Sequence, residues 1–475
     1  MVKNILSRLY QIGLLLLILL YFNSCSDEKK EIVAELGNQH ITLDEFRIAY
    51  LDVVKKPDVF DSPKLREKFL DELIASRLLS QEAEKRGYYN DEKLQNRVTA
   101  YKNKALREAH FDAVIKPKIS ITEEDIQQAY IYSQEQRRLS HLFVNTRQEV
   151  DSIYNLLENG ANFDEIARDL FDDPLLADNG GDLGWLNWDE LEYDMAMTAF
   201  QMPTDTFSTP IKSQYGFHIL KVTDYSKKPL ITRQEYETYK HKARIKLELM
   251  LNDKYSYNYI TDMVEKAEIE MNPGVITAVR SKLKNVFKRT PDQFNQMNEM
   301  QLTDDEVRLV EMNLWDMRHE IFAMINGEEY TVADFIGALN YVPYNIVYSS
   351  FRKAMHYAFR DFIIEQEARQ LGLENSDDVK NKYILFKEYL LQLELRRDIV
   401  RKVKVTNQEI KQYYDQNKEK FKEAEFEQVE EIIRGIVRRK KRSEAVPNLV
   451  ENLLKDRRVI KHPDVIHRYY DSVLE

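Results

Sequence analysis

The sequence predicts an α+β protein that is mostly helical, with one compact α/β domain inserted into the first of two related helical modules. Long amphipathic patterns of helical period cover most of the chain. An 89-residue stretch from Arg137 to Tyr225 instead breaks into short strand patterns and glycine-rich turns. The segment after residue 320 repeats the plan of the N-terminal segment, so the helical part is predicted to occur twice.

The composition indicates a globular chain of several domains. Of its 475 residues 43% are hydrophobic and 31% are charged, which is typical of folded rather than disordered proteins. The net charge of -11 argues against a nucleic-acid partner, since nucleic-acid-binding proteins normally carry a basic surface. The basic run from Arg438 to Arg442 lies in a helical pattern with acidic neighbours, and we interpret it as a solvated helix face.

The N-terminus resembles a bacterial lipoprotein signal. Two basic residues, Lys3 and Arg8, precede an apolar run of 11 residues from Ile12 to Phe22, interrupted by Gly13 alone. This run is too short to span a bilayer but has the length of a signal-peptide core. The sole cysteine, Cys25, follows at the position of the acylated residue, so no internal disulfide or thiol catalysis is expected. An ordinary signal peptide with an incidental cysteine is the alternative.

Acylation of Cys25 would hold the protein on a membrane, because several acyl chains together anchor a protein stably. The folded part would then face an extracytoplasmic space. The polar residues Ser26 to Glu28 that follow also resemble the surface-export signals of some lipoproteins.

The predicted first module begins with a strand from Ile32 to Gly37. Thr42 and Glu45 have capping-box spacing, which predicts a helix start. Further helices are predicted at about residues 63–87 and 91–115, from Thr122, and over residues 233–268.

Three correspondences predict that the second half duplicates the first. They are Thr42 with Thr331 at an offset of 289 residues, Thr122 with Thr406 at 284, and Asn272–Ile276 with His462–Ile466 at 190. The drop of 94 residues between the last two offsets is close to the 89 residues of the α/β insert. The second copy is therefore predicted to lack the insert.

These patterns divide the chain into six segments. They are a lipoprotein signal at 1–25, a helical module at 31–136, the α/β domain at 137–225, the terminal helix of the first module at 226–276, a connector without a counterpart at 277–320, and the second helical module at 321–475.

Three motifs in fixed order carry a family resemblance. They are Ser140–Val144 (SHLFV), Gly180–Trp185 (GGDLGW) and Tyr215–Leu220 (YGFHIL). Together they resemble a parvulin-type peptidyl-prolyl isomerase domain. The strand–helix–helix body around them resembles the SurA/PrsA family of extracytoplasmic chaperone-isomerases. The resemblance implies an FKBP-like sheet wrapped by helices, with an apolar proline pocket beside two histidines.

The resemblance also implies the residues of the site. His141 and His218 take the paired-histidine positions, and Asp173 falls where parvulins place a cysteine or aspartate, with Asp172 as its substitute. The positions around the substrate proline fall on Leu183, Leu191, Met195 and Phe200, and Ser213 and Tyr215 border the second histidine motif. The family usually has Met and Phe where this chain has Leu191 and Met195, which weakens the expectation of a fast enzyme.

Each assignment has a structural alternative. The two histidines would equally serve to hold the sheet together through hydrogen bonds. Asp173 would also suit a turn before Pro174. The glycines of the second motif allow a tight turn and close backbone approach rather than phosphate binding. The four apolar residues would also suit an ordinary core, Phe200 most of all.

The predicted function is prolyl isomerisation and chaperoning of newly exported, unfolded polypeptides. Rotation of an Xaa-Pro bond crosses roughly 18–20 kcal/mol of lost amide resonance, and it needs no nucleophile, metal or cofactor. A pocket that binds the twisted amide more tightly than either planar form is sufficient. Two alternatives stay open at this point: a holdase with an inactive isomerase domain, and a structural lipoprotein of an export assembly.

Overall fold

The computed structural model describes residues 30–56, 58–228, 232–284, 286–287, 301–421, 424–455 and 457–474. Cys25 and the rest of the predicted lipoprotein signal therefore lie outside the described residues. Within the described part, no helix combines the length and apolar character needed to cross a bilayer. The chain divides into two compact units, a terminal unit (Met1–Ala105 with Asn375–Glu475) and a central unit (Leu106–Glu374).

The first part of the chain is helical after a short hairpin. Its elements are β1 (Ile32–Leu36), β2 (Gln39–Thr42), α1 (Leu43–Val54), α2 (Pro63–Lys85), α3 (Glu92–His110) and α4 (Glu123–Tyr132). The α/β domain follows with β3 (Glu135–Val144), α5 (Arg147–Glu158), α6 (Phe163–Leu170), α7 (Pro174–Asp178), β4 (Asp182–Asn187), α8 (Tyr193–Gln201), β5 (Thr206–Phe207), β6 (Ile211–Lys212) and β7 (Phe217–Lys227).

The remaining elements are again mostly helices. They are α9 (Arg233–Glu265), β8 (Ile269–Met271), α10 (Pro273–Leu283), α11 (Asp304–Leu314), β9 (Ile321–Ile325), β10 (Glu328–Thr331), α12 (Val332–Leu339), α13 (Tyr344–Ser349), α14 (Phe351–Gln370), α15 (Asp377–Lys402), α16 (Asn407–Gln416), α17 (Phe426–Lys455), β11 (Val459–Lys461) and α18 (Pro463–Leu474). The described ends of the predicted connector thus contain helix, and the basic run lies inside α17.

The terminal unit packs helices from both ends of the chain around a three-stranded sheet. Its sheet has the order β11-β1-β2. One apolar cluster joins β1, α1 and α2 to α18, with Phe46 and Ile466 fully buried. Buried ion pairs also connect the helices of this unit. Arg77 on α2 contacts Glu45 on α1 at 2.7 Å and pairs with Glu388 on α15.

The helical part of the central unit has the same plan. A sheet of order β10-β9-β8 is covered by α10, α11, α12 and α14. At the end of α3, Arg107 contacts Asp361 at 3.3 Å and also pairs with Glu365, both on α14. Each unit therefore contains an arginine that is mostly shielded from solvent and lies between two carboxylates.

The last strand of each predicted module pairs with the other predicted module. β11, from the end of the predicted second module, pairs with β1 of the first, and β8, from the end of the predicted first module, pairs with β9 of the second. The geometry is equivalent in both places, since His462 N donates to Val33 O at 2.9 Å and Asn272 N donates to Phe322 O at 3.0 Å. The exchange makes each compact unit from parts of both sequence modules, while the module boundaries taken from the sequence stay a prediction.

The α/β domain is an antiparallel sheet with helices on its faces. The strand order is β4-β3-β7-β5, and β6 also pairs with β7. One apolar cluster lies under α5 and α6, and another joins α8 to α4 and α9. The long helix α9 also forms an ion pair with this domain, from Lys254 to Asp194 at 2.6 Å.

Candidate active site

The two predicted histidines lie side by side on neighbouring strands. In the register of β3 with β7, His141 pairs with Leu220 and Phe143 with His218. This places the histidines on a diagonal, where two side chains share one face of an antiparallel sheet. Their ring centroids are 5.7 Å apart, with an angle of 25° between the ring planes.

Aromatic rings enclose the histidine pair. Phe171, just after α6, stacks on His141 at 5.3 Å, and Phe143 lies 5.0 Å from His218. Within the described part of the chain, His141 Nε2 and His218 Nδ1 are buried without a hydrogen-bond partner. Buried polar atoms without partners are rare in folded proteins, so these two nitrogens are candidates for hydrogen bonds to a ligand.

Burial keeps both imidazoles neutral at physiological pH. It lowers the pKa of His141 from its ordinary value, because the charged form loses solvation. Burial, and then the charge of His141, lower the pKa of His218 to about 4. The site therefore offers neutral hydrogen-bonding groups rather than positive charge.

A tight turn between β6 and β7 orients His218. The Ser213 hydroxyl shares a hydrogen bond of 2.9 Å with His218 Nε2 and accepts the Tyr215 N–H at 3.0 Å. Ser213 N donates to Gly216 O at 2.8 Å, which closes the turn. Ser213 is buried, whereas the Tyr215 side chain is 71% exposed and faces solvent beside the site.

The glycine motif brings the chain against the strand that carries His141. Gly181 has φ +75°, and a Cβ built on it would lie 2.3 Å from His141 O. A backbone hydrogen bond joins the two residues, in which His141 N donates to Gly181 O at 2.9 Å. Gly184 also has a left-handed φ of +78°, but a Cβ on it would meet open space.

We expect Gly181→Ala to destabilise the domain more than Gly184→Ala. Both changes place an L-residue in the left-handed region, at about 1–2 kcal/mol each. Only Gly181→Ala adds a clash with backbone, which costs about 1–3 kcal/mol more in a packed site. Urea unfolding followed by tryptophan fluorescence measures the difference, and equal losses from the two variants would contradict the close approach.

Asp173 lies two residues after the ring that stacks on His141. It is the N-cap of α7, where its Oδ1 accepts the Leu175 N–H at 2.9 Å. Asp172 and Asp173 are both exposed. The structure thus gives Asp173 a local capping role, and its catalytic role stays a prediction.

The predicted pocket residues differ in burial. Leu183 and Leu191 are half-buried, and Met195 on α8 is 7% exposed. Met195 and Phe200 belong to the apolar cluster that includes Leu247 and Met250 of α9. Phe200 packs 5.4 Å from Tyr132, which is the environment of a core residue.

Two residues at this site have no place in the sequence prediction. Phe171 stacks on His141, and its only sequence signal is its position two residues before Asp173. Glu192 joins α8 to the turn at Gln214, a contact between residues 22 positions apart. Among the described residues, no group of three or more histidine, cysteine, aspartate or glutamate side chains is arranged to hold a metal ion.

Comparisons with known protein families match this architecture. The family model of the PPIC-type PPIASE domain matches residues 142–224. The model of the SurA-like N-terminal domain matches residues 2–137. The two matches are adjacent and cover the first helical module and the α/β domain.

Known relatives match part of the chain. The foldase protein PrsA of Geobacillus kaustophilus is 30% identical over 220 residues, which cover 44% of this chain and 76% of that protein. A parvulin-like PPIase of Rickettsia conorii is 25% identical over 229 residues, covering 46% and 78%. The crystal structure of a peptidylprolyl isomerase, PrsA, from Bacillus anthracis matches 41% of this chain and 96% of its own at 21% identity, with a TM-score of 0.23.

The fold and the two family matches define a parvulin-type peptidyl-prolyl isomerase carried on a SurA-like helical body. The predicted α+β class, with one parvulin domain among helical chaperone modules, is confirmed. The chain belongs to the PrsA family of foldases. Its function is that of a peptidyl-prolyl cis-trans isomerase and chaperone.

Proposed function

We propose that the protein isomerises Xaa-Pro bonds of unfolded, newly exported polypeptides while its helical body holds the client. The pocket consists of Leu183, Leu191 and Met195, with Phe200 behind them. The observation that carries this proposal is the pair of neutral, partly unpartnered histidines on adjacent strands.

The proposed mechanism is non-covalent. Twisting the Xaa-Pro bond ends conjugation between the carbonyl and the ring nitrogen, so the two planar ground states and the transition state differ in polarity and shape. An apolar pocket that grips the ring and excludes water favours the twisted form, and oriented polar groups stabilise its changed charge distribution. No cofactor takes part.

The neutral histidines suit this mechanism. An imidazole with a pKa near 4, such as His218, keeps its neutral form across the physiological range. Ser213 and Tyr215 form the border of the pocket on the β6–β7 turn. Asp173, or Asp172 in its place, supplies the negative charge near the histidine pair.

The anchor and the location are part of the same proposal. Acylation at Cys25 would tether the protein to a bacterial membrane with its folded part on the extracytoplasmic side. The clients there are polypeptides that emerge unfolded from export. No nucleic-acid partner is proposed, in keeping with the net charge of -11.

The test is the cis-to-trans isomerisation of short Xaa-Pro peptides by the protein lacking residues 1–25. Uncatalysed exchange takes tens to hundreds of seconds, so modest acceleration is measurable. We expect acceleration that Met195→Ala reduces. Rates equal to buffer across several residues before proline would overturn catalysis. Suppression of client aggregation by such an inactive protein would then identify a holdase, and its absence a structural component.

Asp173→Asn separates charge from capping. Asparagine caps helices as well as aspartate does, so this variant keeps α7 intact. We expect kcat/KM to fall about tenfold through loss of the charge, which corresponds to about 1.4 kcal/mol of transition-state stabilisation. Asp173→Ala removes both charge and cap, and Asp172→Asn is the matched neighbour. If Asp173→Asn isomerises as fast as wild type, the residue is only a cap.

A further inference from the structure

The N-cap of α8 does not cap its own helix. An N-cap side chain normally accepts the N–H of the second or third helical residue, and short polar side chains do this best. Glu192 occupies the N-cap of α8 and makes no such bond. Its Oε2 instead accepts the Gln214 N–H at 3.3 Å.

Gln214 lies inside the turn that orients His218. Its neighbours Ser213 and Tyr215 are linked by the hydrogen bond from Tyr215 N to Ser213 Oγ, and Ser213 is bonded to His218 Nε2. A shift of Gln214 therefore moves the hydroxyl that holds the imidazole. Tyr257 on α9 donates to Gln214 O at 3.5 Å, a longer contact from the other side.

Glu192 also lies between two residues of the proposed proline pocket. Leu191 is the preceding residue, and Met195 lies three residues further along α8, about one helical turn away. The Glu192 carboxylate therefore connects the proposed proline pocket to the 213–216 turn, which orients His218.

The Glu192 carboxylate does not stabilise the folded protein. Glu192 Oε1 is buried and has no hydrogen-bond partner within the described part of the chain. A buried carboxylate oxygen without a donor loses its hydration and gains nothing in return. A glutamate at an N-cap is also a weaker helix start than serine, aspartate or asparagine. The residue thus costs the folded state free energy at a position where a better cap is available.

We propose that Glu192 is a positioning residue of the isomerase: it holds the 213–216 turn against α8, so that the proline pocket and His218 keep one fixed geometry. The inference rests on the pocket proposed above. Small misplacements of catalytic groups reduce rates strongly even when the protein stays folded.

The test compares three variants of the purified protein in the peptide isomerisation assay. We expect Glu192→Ala to lower kcat/KM about tenfold, with most of the loss in kcat, because positioning acts on the reacting geometry. Glu192→Gln keeps an acceptor oxygen and should retain at least about half of the wild-type value. Glu190→Ala, two residues earlier, removes an exposed carboxylate that accepts the Asn187 N–H, and it should change kcat/KM less than about twofold.

Two further readouts distinguish positioning from a structural role. The thermal midpoint of Glu192→Ala should equal or exceed that of wild type, because the buried, unpartnered oxygen is removed. The imidazole ¹⁵N resonances of His218 should shift in Glu192→Ala and stay in place in Glu190→Ala.

If wild-type protein isomerises the peptides no faster than buffer, the proposed proline pocket and this inference are both wrong. An active wild type with Glu192→Ala within about twofold of it would overturn the inference alone. A loss of activity that follows a lowered thermal midpoint, without rescue by Glu192→Gln, would also overturn it.

Discussion

Arg107→Met is expected to lower the stability of the central unit by about 3–5 kcal/mol, the usual cost of breaking a buried ion pair from one side. The arginine lies between Asp361 and Glu365, and both carboxylate side chains are almost fully buried. Without Arg107, Glu365 loses its paired cation inside the protein. Hydrogen exchange of α14 amides reports the effect, since that helix carries both acids.

The matched control is Lys266→Met, which removes an exposed ion pair with Asp262 in the same unit. It should change stability by less than about 0.5 kcal/mol, as exposed pairs do. Combining Arg107→Met with Glu365→Leu should recover most of the loss, because an apolar replacement leaves no unpaired charge on Glu365. A loss below about 1 kcal/mol in Arg107→Met alone would show that the acids find other partners.

Raising the pH from 5 to 8 is expected to destabilise α14 through Glu365. Burial raises the pKa of Glu365 to about 7, although Arg107 acts in the opposite direction. In the unfolded chain a glutamate titrates near 4.3, so the folded state binds its proton more tightly. The stabilisation is therefore complete below about pH 4.3 and is lost as the pH rises through about 7, a change of about 4 kcal/mol.

Glu365→Gln should flatten this dependence, because glutamine cannot ionise. Hydrogen exchange of α14, corrected for the pH dependence of the intrinsic rate, measures it. Glu237→Gln removes an exposed carboxylate of the same unit, paired with Lys240, and should leave the profile unchanged. An unchanged profile in Glu365→Gln would mean that Glu365 is ionised throughout. Burial raises the pKa of Glu388 to about 7 as well, so α15 should show the same sign.

Two buried triads, each an arginine between two carboxylates, connect the predicted modules where their strands are exchanged. Arg77 joins helices α1 and α2 to α15, and Arg107 joins the end of α3 to α14. In both units the ion pairs connect residues of the predicted first module to residues of the predicted second module. An ion pair has strict geometric requirements, so these triads favour the exchanged pairing over a looser apolar contact.

Local signals in the sequence predicted the helix starts well. Thr42, Thr122, Thr331 and Thr406 all form capping boxes in the structure. A cap is decided by residues three positions apart, so no distant contact can change its meaning. The helix ends were less accurate, since the predicted helix at residues 91–115 ends at His110 and continues as a short π-helical turn.

The strand exchange was not predictable from the same patterns. β8 and β11 are three residues long, and each precedes a proline that begins a helix. The similarity of the segments that follow them, Asn272–Ile276 and His462–Ile466, predicts the duplication but does not indicate which sheet either strand joins. Which sheet each strand joins depends on the burial of whole helices, and those contacts are distant in sequence.

The domain classes, the isomerase motifs and the two histidines were predictable from the sequence, because they depend on short-range patterns and fixed motif spacing. The folded chain was needed to show which sheet each terminal strand completes, where Phe171 and Glu192 contact the site, and which carboxylates are buried beside Arg77 and Arg107. Such features arise when segments far apart in the chain pack together and exclude water. Local sequence patterns do not show which distant segments will pack together.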